Sequence, residues 1–282
     1  MVLVAFCVWT LVTAQAFQWP VVGDYLFNPR VIAGVWTTIY LTILAMTFGC
    51  LGGLLLAIMR RSPSRALIAI SSGIVWFFRG TPTLVQLIFW FNLASLFPRL
   101  EIGIPFGQAI WSVDTNTVMT PLLAAILALG INEAAYMSEI IRAGLGSVDN
   151  GQVEAAKALG MRSGRTMRRI ILPQAMRTII PPTGNELIGM LKFTSLASVI
   201  SVTELLSTTQ QIYNQNYQVI PLLVVASIWY LALTSVLSVG QARVEQRFGR
   251  GVSGTRNGWQ HLTTGFRFRK QTSFEPKKEA VG

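Results

Sequence analysis

Long uncharged apolar segments, separated by shorter polar connections, dominate the pattern along this chain. One of them, residues 31–59, contains no charged residue and exceeds the roughly 20 residues that an α-helix needs to cross a bilayer. Five such segments are clear, at about 31–59, 80–97, 119–141, 183–206 and 219–240. The pattern therefore predicts an all-α polytopic membrane protein with five core transmembrane helices.

A sixth apolar segment, residues 1–17, is shorter and has two interpretations. As a retained transmembrane helix it would cross from the cytoplasmic to the outer side, which would make six spans. It also looks like a signal peptide, because it ends in Ala14-Gln15-Ala16, although it lacks a basic region before the apolar stretch. We favour a retained N-terminal helix.

The apolar run from Ala66 to Phe97 is too long for a single span. As one helix its 32 residues would measure about 48 Å, against a hydrocarbon core of about 30 Å. Arg79 and Pro82 interrupt it. We therefore predict a span over 80–97 and a helix over 64–78 that lies in the cytoplasmic interface or is only partly inserted. Arg79 is expected near the cytoplasmic boundary as a snorkelling or phosphate-facing side chain, with a group in the pathway as the alternative.

Charged residues are few, and most of the basic ones fall on one side of the predicted spans. Only 12% of the residues are charged, where a soluble domain has about a quarter, and 23 Lys and Arg face 12 Asp and Glu for a net charge of +11. Nearly all basic residues fall on one side of the predicted spans, and only Arg30 and Arg99 fall on the other. This asymmetry indicates membrane topology and not nucleic-acid binding, and it predicts that the loop over 142–182 and the C-terminus are cytoplasmic.

Few residues of the chain suggest a disulfide, a metal site or a nucleotide site. Cys7 and Cys50 lie in apolar segments, and His261 stands alone in a polar tail, so we expect neither a disulfide nor a metal site. The chain also lacks the glycine-rich Walker A pattern that cradles nucleotide phosphates. If ATP drives this protein, another subunit binds the ATP.

The sequence of the cytoplasmic loop over 147–173 predicts two short helices. Asp149 or Asn150 can cap the first, and Gly160 suits the left-handed position that ends it. Ser163 can cap the second, and Pro173 is expected to end it. The loop is therefore expected to be compact and structured.

This loop contains Glu154-Ala155-Ala156, then three residues, Gly160, nine residues, Ile170, one residue and Leu172-Pro173. In identity and spacing it resembles the EAA loop of the inner-membrane permeases of binding-protein-dependent ABC importers. The resemblance implies that the first short helix docks into a groove of a cytoplasmic ATPase subunit. It implies an ion pair or a cap for Glu154, close approach at Ala155 and Ala156, and a turn at Gly160. The residues assigned to coupling in this way are Gly151, Gln152, Glu154, Ala155, Ala156, Gly160, Leu172 and Pro173.

Further motifs resemble the polar amino acid branch of these permeases, whose members carry histidine, glutamine, glutamate, arginine or opines. They are Phe78-Arg79-Gly80-Thr81-Pro82, Leu84-Val85-Gln86-Leu87, Asn132-Glu133-Ala134-Ala135-Tyr136, Asn185-Glu186 and Lys192-Phe193-Thr194-Ser195-Leu196. Phe193 departs from the pattern, because the branch more often has a small or polar residue there. The resemblance covers roughly residues 20–250.

The resemblance implies a domain organisation and a set of partners. We expect a permease domain over 31–240 and a basic cytoplasmic tail over 241–282 that is too polar to form a core. The implied partners are ATPase subunits, an extracytoplasmic solute-binding protein and a second permease, identical or paralogous, in the plasma membrane. No cofactor is expected in this chain.

Ionisable groups inside predicted spans are costly and therefore suggest function. A zwitterionic substrate needs a cation near its carboxylate and an acceptor near its ammonium group, which Lys192 and either Glu133 or Glu186 can supply. The alternative is that these groups pair between helices or protomers. The substrate-pathway candidates are Glu133, Glu186, Lys192, Thr194 and Ser195.

Two shorter spacings predict contacts between helices or within one. Glu139 and Arg142, three residues apart, are expected to pair near the cytoplasmic end of their helix. Gly49 and Gly53 form a G-x-x-x-G pattern, which we expect to allow close packing inside the fold.

The sequence thus favours a permease subunit that moves a polar amino acid into the cytoplasm by ATP-driven alternating access and is not itself an enzyme. One alternative keeps this mechanism and changes the cargo to an opine or another small nitrogen or sulfur compound. A second is an ion-coupled secondary transporter that uses Glu133, Glu139 or Glu204 as its coupling carboxylate. A third is a membrane sensor or scaffold that works through its basic tail.

Overall fold

A computed structural model describes residue 9, residues 13–103 and residues 109–248 of the chain. The predicted N-terminal helix over 1–17 lies largely outside these residues, as does the tail after residue 248. The helices are α1 (Trp19–Leu26), α2 (Pro29–Arg60), α3 (Arg65–Gly80), α4 (Thr83–Phe91), α5 (Leu93–Leu96), α6 (Thr115–Val118), α7 (Pro121–Gly146), α8 (Asn150–Ala158), α9 (Ser163–Thr166), α10 (Leu172–Phe193), α11 (Leu205–Asn216) and α12 (Val219–Phe248). The strands are β1 (Arg99–Gly103) and β2 (Ala109–Asp114).

Three helices in the described part of the chain are long and apolar enough to cross a membrane: α2, α7 and α12. Two bent helix pairs also qualify. The first is α3 with α4, which meet at 103°, and the second joins the segment Ser163–Ile200 to α11 at 46°. If each pair is one span, the total is five, the number of core spans expected from the sequence.

Helix α2 packs along α7 through a stripe of glycines. A Cβ atom on Gly49 would lie 2.6 Å from Cβ of Glu133, and one on Gly53 would lie 2.5 Å from Cβ of Met137. Real Cβ atoms do not come this close, so only glycine allows the two helices to approach in this way. The prediction that the G-x-x-x-G pattern packs inside the fold is confirmed.

The second apolar segment is a broken helix and not a continuous span. Helix α3 ends at Gly80, Thr81 is extended before Pro82, and α4 then covers only nine residues, or about 13.5 Å. The predicted interfacial helix over 64–78 corresponds to α3. The prediction of one span over 80–97 is wrong, because α4 is too short to cross the hydrocarbon core and the chain continues into α5.

The fourth predicted span begins earlier and ends earlier than expected. Helix α10 starts at Leu172, follows a π-helical segment Met167–Ile171, and carries Pro181 and Pro182 inside it. It ends at Phe193, where a 3₁₀ helix Thr194–Ile200 begins. The sequence pattern over 183–206 therefore covers the second half of one helix and a tighter turn.

The predicted end of a second short helix at Pro173 is wrong. Pro173 lies in the first turn of α10, where a missing N–H is tolerated, and the π-helical segment connects α9 to α10. The predicted cap at Ser163 is also wrong. Ser163 is the first helical residue of α9, and the residue in the cap position, Arg162, makes no side-chain capping bond.

Four apolar clusters of buried residues hold the described helices together, and two of them are larger than the rest. One surrounds Leu41, Leu87 and Leu129, and the other surrounds Val31 and Leu222. Between α5 and α6 the chain forms an antiparallel hairpin of β1 and β2, in which Arg99 is opposite Asp114. The all-α prediction did not include this hairpin.

Candidate functional site

The first helix of the predicted coupling loop, α8, is closed at both ends by its own sequence. Asp149 Oδ1 accepts a hydrogen bond of 2.7 Å from the N–H of Gly151. At the other end Gly160 has φ +70°, its N–H donates to Lys157 O at 2.9 Å, and the N–H of Met161 donates to Ala156 O at 3.0 Å. This pair of bonds is a Schellman motif, which satisfies carbonyls at the helix end. The predictions for Asp149 and Gly160 are confirmed.

One side of α8 packs on the protein and the other is open. Ala156 is buried, whereas Glu154 and Ala155 are exposed and Leu159 is 82% exposed. Glu154 makes no ion pair within the described ranges. Leu159, Ala155 and Glu154 therefore form the open side of this segment. Ala155 thus points outward, while Ala156 serves packing within the chain.

Polar contacts connect α8 and the end of α7 to α10. Gln174 Nε2 donates to Gln152 Oε1 at 2.5 Å, and the hydroxyls of Ser147 and Thr178 lie 3.1 Å apart. Of the two remaining coupling candidates, Leu172 lines a large cavity beside α10, and Pro173 is exposed in the first turn of that helix. These hydrogen bonds connect α8 and the end of α7 to α10 within the chain.

The break between α3 and α4 is held by two amide side chains. Gln86 Nε2 donates to Phe78 O at 2.9 Å and to Thr81 O at 3.1 Å, and Asn132 Nδ2 of α7 donates to Phe78 O at 2.8 Å. A break in a membrane helix frees backbone carbonyls that lipid cannot satisfy, so side chains must do so. Gln86 and Asn132 belong to the motifs of the family resemblance, and their role becomes visible only in the structure.

Arg79, at the end of α3, lies over the ring of Tyr136, with its guanidinium carbon 5.2 Å from the ring centre. Tyr136 is ten residues before the end of α7, or about 15 Å along the helix. This contact fixes the position of Arg79 relative to α7, and its place near the cytoplasmic boundary stays a prediction. Arg79 and Tyr136 line a pocket of about 420 Å³ together with Arg60 and Glu139.

Glu139 is the centre of an ion-pair network. Its Oε2 accepts from Arg142 Nε at 2.8 Å, and its Oε1 pairs with Arg60 of α2. The predicted pairing with Arg142 is confirmed. The second pair was not predicted, because 79 residues separate Arg60 from Glu139 and only the packing of α2 on α7 brings them together.

The two glutamates proposed for the substrate pathway differ in accessibility. Glu133 is only 4% exposed, and its Oε1 atom has no hydrogen-bond partner among the described residues. Glu186 on α10 is partly exposed, and Lys192, near the end of the same helix, is exposed. No ion pair joins Lys192 to either glutamate in the part of the chain that the structure describes.

The two hydroxyl candidates bond to the turn that contains them. Thr194 is fully buried and donates to Leu191 O at 2.7 Å. Ser195 is partly exposed and donates to Lys192 O at 2.7 Å. Thr194 therefore does not face an open pathway within this chain, whereas Ser195 lies closer to its surface.

Glu204 is a structural cap. Its side chain is fully buried, Oε1 accepts from the N–H of Ser207 at 2.7 Å, and Oε2 accepts from the N–H of Leu206 at 2.9 Å and from the hydroxyl of Tyr230 at 2.7 Å. These bonds close the N-terminus of α11 and connect it to α12. Both carboxylate oxygens of Glu204 therefore accept hydrogen bonds within the fold.

The apolar helices and the broken helix pair indicate a polytopic membrane protein, in which the capped helix α8 contacts α10. A family model described as the binding-protein-dependent transport system inner membrane component matches residues 49–250. The chain belongs to this family and is an inner-membrane component of such a transport system. The family resemblance drawn from the loop over 147–173 is confirmed.

Individual relatives and a solved structure support the same family assignment. An arginine transport system permease protein of Corynebacterium glutamicum is 43% identical over 259 residues, which are 90% of this chain and 80% of the relative. A nopaline transport system permease protein of Agrobacterium fabrum is 37% identical over 210 residues, 74% of this chain and 84% of the relative. The crystal structure of an amino acid ABC transporter with histidines matches with a TM-score of 0.67 and 35% identity, over 78% of this chain and 95% of that one.

Proposed function

We propose that this chain is the permease subunit of an ABC importer that moves a polar amino acid into the cytoplasm, and that α8 is its docking helix for a separate ATPase. The observation that carries the proposal is the geometry of α8. Its ends are closed by Asp149 and Gly160, its outer surface presents Glu154, Ala155 and Leu159, and its inner side is connected to a membrane helix.

The proposed mechanism uses these connections. ATP binds to the partner ATPase, whose closure displaces α8. The contact between Gln152 and Gln174 passes the displacement to α10, which carries Glu186 and Lys192. Alternating access then needs no cofactor and no covalent chemistry in this chain.

The proposed assembly has two permease subunits, identical or paralogous, two ATPase subunits and an extracytoplasmic solute-binding protein. The excess of basic residues in the loop over 142–182 and in the tail over 241–282 supports a cytoplasmic position for both. Residues 1–17 are proposed as a further membrane helix that precedes the permease domain over 31–240.

The cargo proposal rests on the polar groups around the broken helix. Transport proteins commonly bind polar substrates where a membrane helix is interrupted. Arg79 is exposed at such a break and can receive a carboxylate, while Glu186 offers an acceptor for an ammonium group. Of the pathway candidates, Glu186, Lys192 and Ser195 are accessible, whereas Glu133 and Thr194 are buried within this chain, and we add Arg79 and Tyr136 to them. The names of the arginine and nopaline relatives support an amino acid, or an opine as the alternative.

Two of the three candidate carboxylates of an ion-coupled carrier are engaged within the fold, whereas Glu133 is buried and its Oε1 has no partner among the described residues. Glu204 is occupied as a helix cap, and Glu139 is held between Arg60 and Arg142. Neither group is available to take up and release an ion during transport without loss of these contacts.

Reconstitution tests the proposal. The chain is assembled with its ATPase and binding protein in liposomes, and uptake of labelled arginine, glutamine and histidine is measured with and without ATP. We expect ATP-dependent uptake of at least one of them and its loss in Gly160→Asp. Gly164→Asp is the matched control, because it adds the same charge at a helical position with open space around it. Uptake that follows a proton or sodium gradient without ATP would contradict the proposal.

A further inference from the structure

A cavity of about 1460 Å³ lies between α2, α7, α10 and α12. Helix α2 lines it with one side chain per turn, Met46, Cys50, Leu54 and Ile58, and α12 faces them with residues that include Val236. The lining is almost entirely apolar. Thr183 and Gln241 are among its few polar lining residues, and most of the wall offers a polar amino acid no hydrogen-bonding partner, so an apolar occupant fits it better than such a substrate.

The cavity is long in one direction and ends at a positive charge. From Met46 to Arg61 the lining follows α2 for fifteen residues, or about 22 Å, while half of a hydrocarbon core is about 15 Å. Arg61 and Ser62 stand at its rim. Arg60 is engaged by Glu139, but Arg61 forms no ion pair with any described residue.

Three properties together identify the occupant. The apolar space is open on one side, so in a membrane it is covered by lipid or by another protein and not by ordered water, which needs polar partners. Its depth matches one leaflet of a bilayer together with the headgroup level. Methionines, which adapt to irregular chains, contribute to the wall from three helices through Met46, Met137 and Met176.

We propose that this cavity is a binding site for an anionic phospholipid of the cytoplasmic leaflet. The acyl chains lie along the apolar walls, and the phosphate receives hydrogen bonds from Arg61 and Ser62. Basic pockets between membrane helices on the cytoplasmic side bind anionic headgroups in this manner. The inference rests on the proposed orientation, in which the C-terminal end of α2 is cytoplasmic.

Lipid retention tests the site. The permease complex is reconstituted with equal amounts of phosphatidylglycerol and phosphatidylcholine that carry the same acyl chains, then extracted in mild detergent and examined by native mass spectrometry. We expect the wild type to retain phosphatidylglycerol in preference. Arg61→Gln should reduce this preference about fivefold, the factor that corresponds to one basic residue at a membrane surface. The matched control Arg65→Gln removes an exposed charge that does not line the cavity and should leave the preference unchanged.

A second variant tests the walls separately. Leu237→Trp fills part of the cavity and should reduce retention of both lipids, with Leu54→Trp from the opposite wall as a substitute if the first variant does not fold. An unchanged preference in Arg61→Gln, or an equal reduction in both arginine variants, would overturn the proposal. Disulfide formation between copies that carry cysteine at Leu54 or Val236 would identify a second copy of the chain as the occupant instead. Lipid retention needs no transport, so loss of uptake with retention intact would count only against the proposed function.

Discussion

Gly160 provides a test of coupling in which the perturbation is confined to the backbone. Its φ of +70° lies in the left-handed region, and the two hydrogen bonds of its N–H and of the Met161 N–H depend on this conformation. A Cβ atom at Gly160 would meet no atom within 4 Å. Gly160→Ala therefore adds no clash and acts only through the unfavourable left-handed conformation of an L-residue.

The expected magnitude follows from that conformation. An L-residue in the left-handed region costs roughly 1–2 kcal/mol, and asparagine tolerates it better than alanine. Such a free energy corresponds to a factor of about 5–30 in an equilibrium constant. If the docked state requires the closed end of α8, the affinity of the permease for its ATPase should fall by this factor in Gly160→Ala and by less in Gly160→Asn.

The assay compares the affinity of the ATPase for permease variants in nanodiscs, together with ATP-driven uptake. Gly146→Ala is the control, because it adds the same methyl group in open space at a helical position near the end of α7. We expect the wild type to bind most tightly, Gly160→Asn less tightly and Gly160→Ala least tightly. Equal affinity for wild type and Gly160→Ala, or equal weakening by Gly146→Ala, would refute the assignment of α8 as a docking helix with an essential closed end.

Three further predictions concern packing, capping and the pathway. Gly49→Ala should lower the free energy of unfolding by about 1–3 kcal/mol through overpacking between α2 and α7, as measured by thermal unfolding in detergent, whereas Gly73→Ala, which has open space, should not. Glu204→Gln should also lower stability in that assay, because the charged acceptor of three hydrogen bonds is lost, and Tyr230→Phe should lower it by about 1 kcal/mol. Arg79→Lys should reduce amino acid uptake without reducing ATPase binding, since lysine lacks the planar guanidinium; unchanged uptake would remove Arg79 from the pathway.

Local features of the coupling loop could be predicted because they depend on neighbouring residues only. A cap at Asp149 requires a short polar side chain just before a helix, and a left-handed turn at Gly160 requires a residue without a Cβ atom. The apolar segments that became α2, α7 and α12 were equally clear, because length and hydropathy are enough to indicate a span. The family resemblance rested on the same loop and is confirmed.

Predictions failed where a local signal was overruled by neighbouring segments. Pro173 was expected to end a helix, but a π-helical segment places it in the first turn of α10. The predicted span over 80–97 is instead part of the bent pair of α3 and α4. Asn132, on a different helix, donates a hydrogen bond to the Phe78 carbonyl that the bend exposes, which the local sequence does not reveal. A proline fixes its φ angle and lacks a backbone N–H, but the surrounding structure decides whether the helix ends, bends or begins there.

The amino-acid sequence by itself determined the class of this protein and the two closed ends of α8, because these follow from hydropathy, charge distribution and short-range turn chemistry. Only the tertiary structure decided which charged side chains of the membrane helices have partners within the fold and which are accessible. Glu204 became a cap, Glu139 joined Arg60, and Arg79 came to lie over Tyr136. The physical reason is that such partners depend on the depth and rotation of each helix against its neighbours, and close packing of the whole bundle sets both.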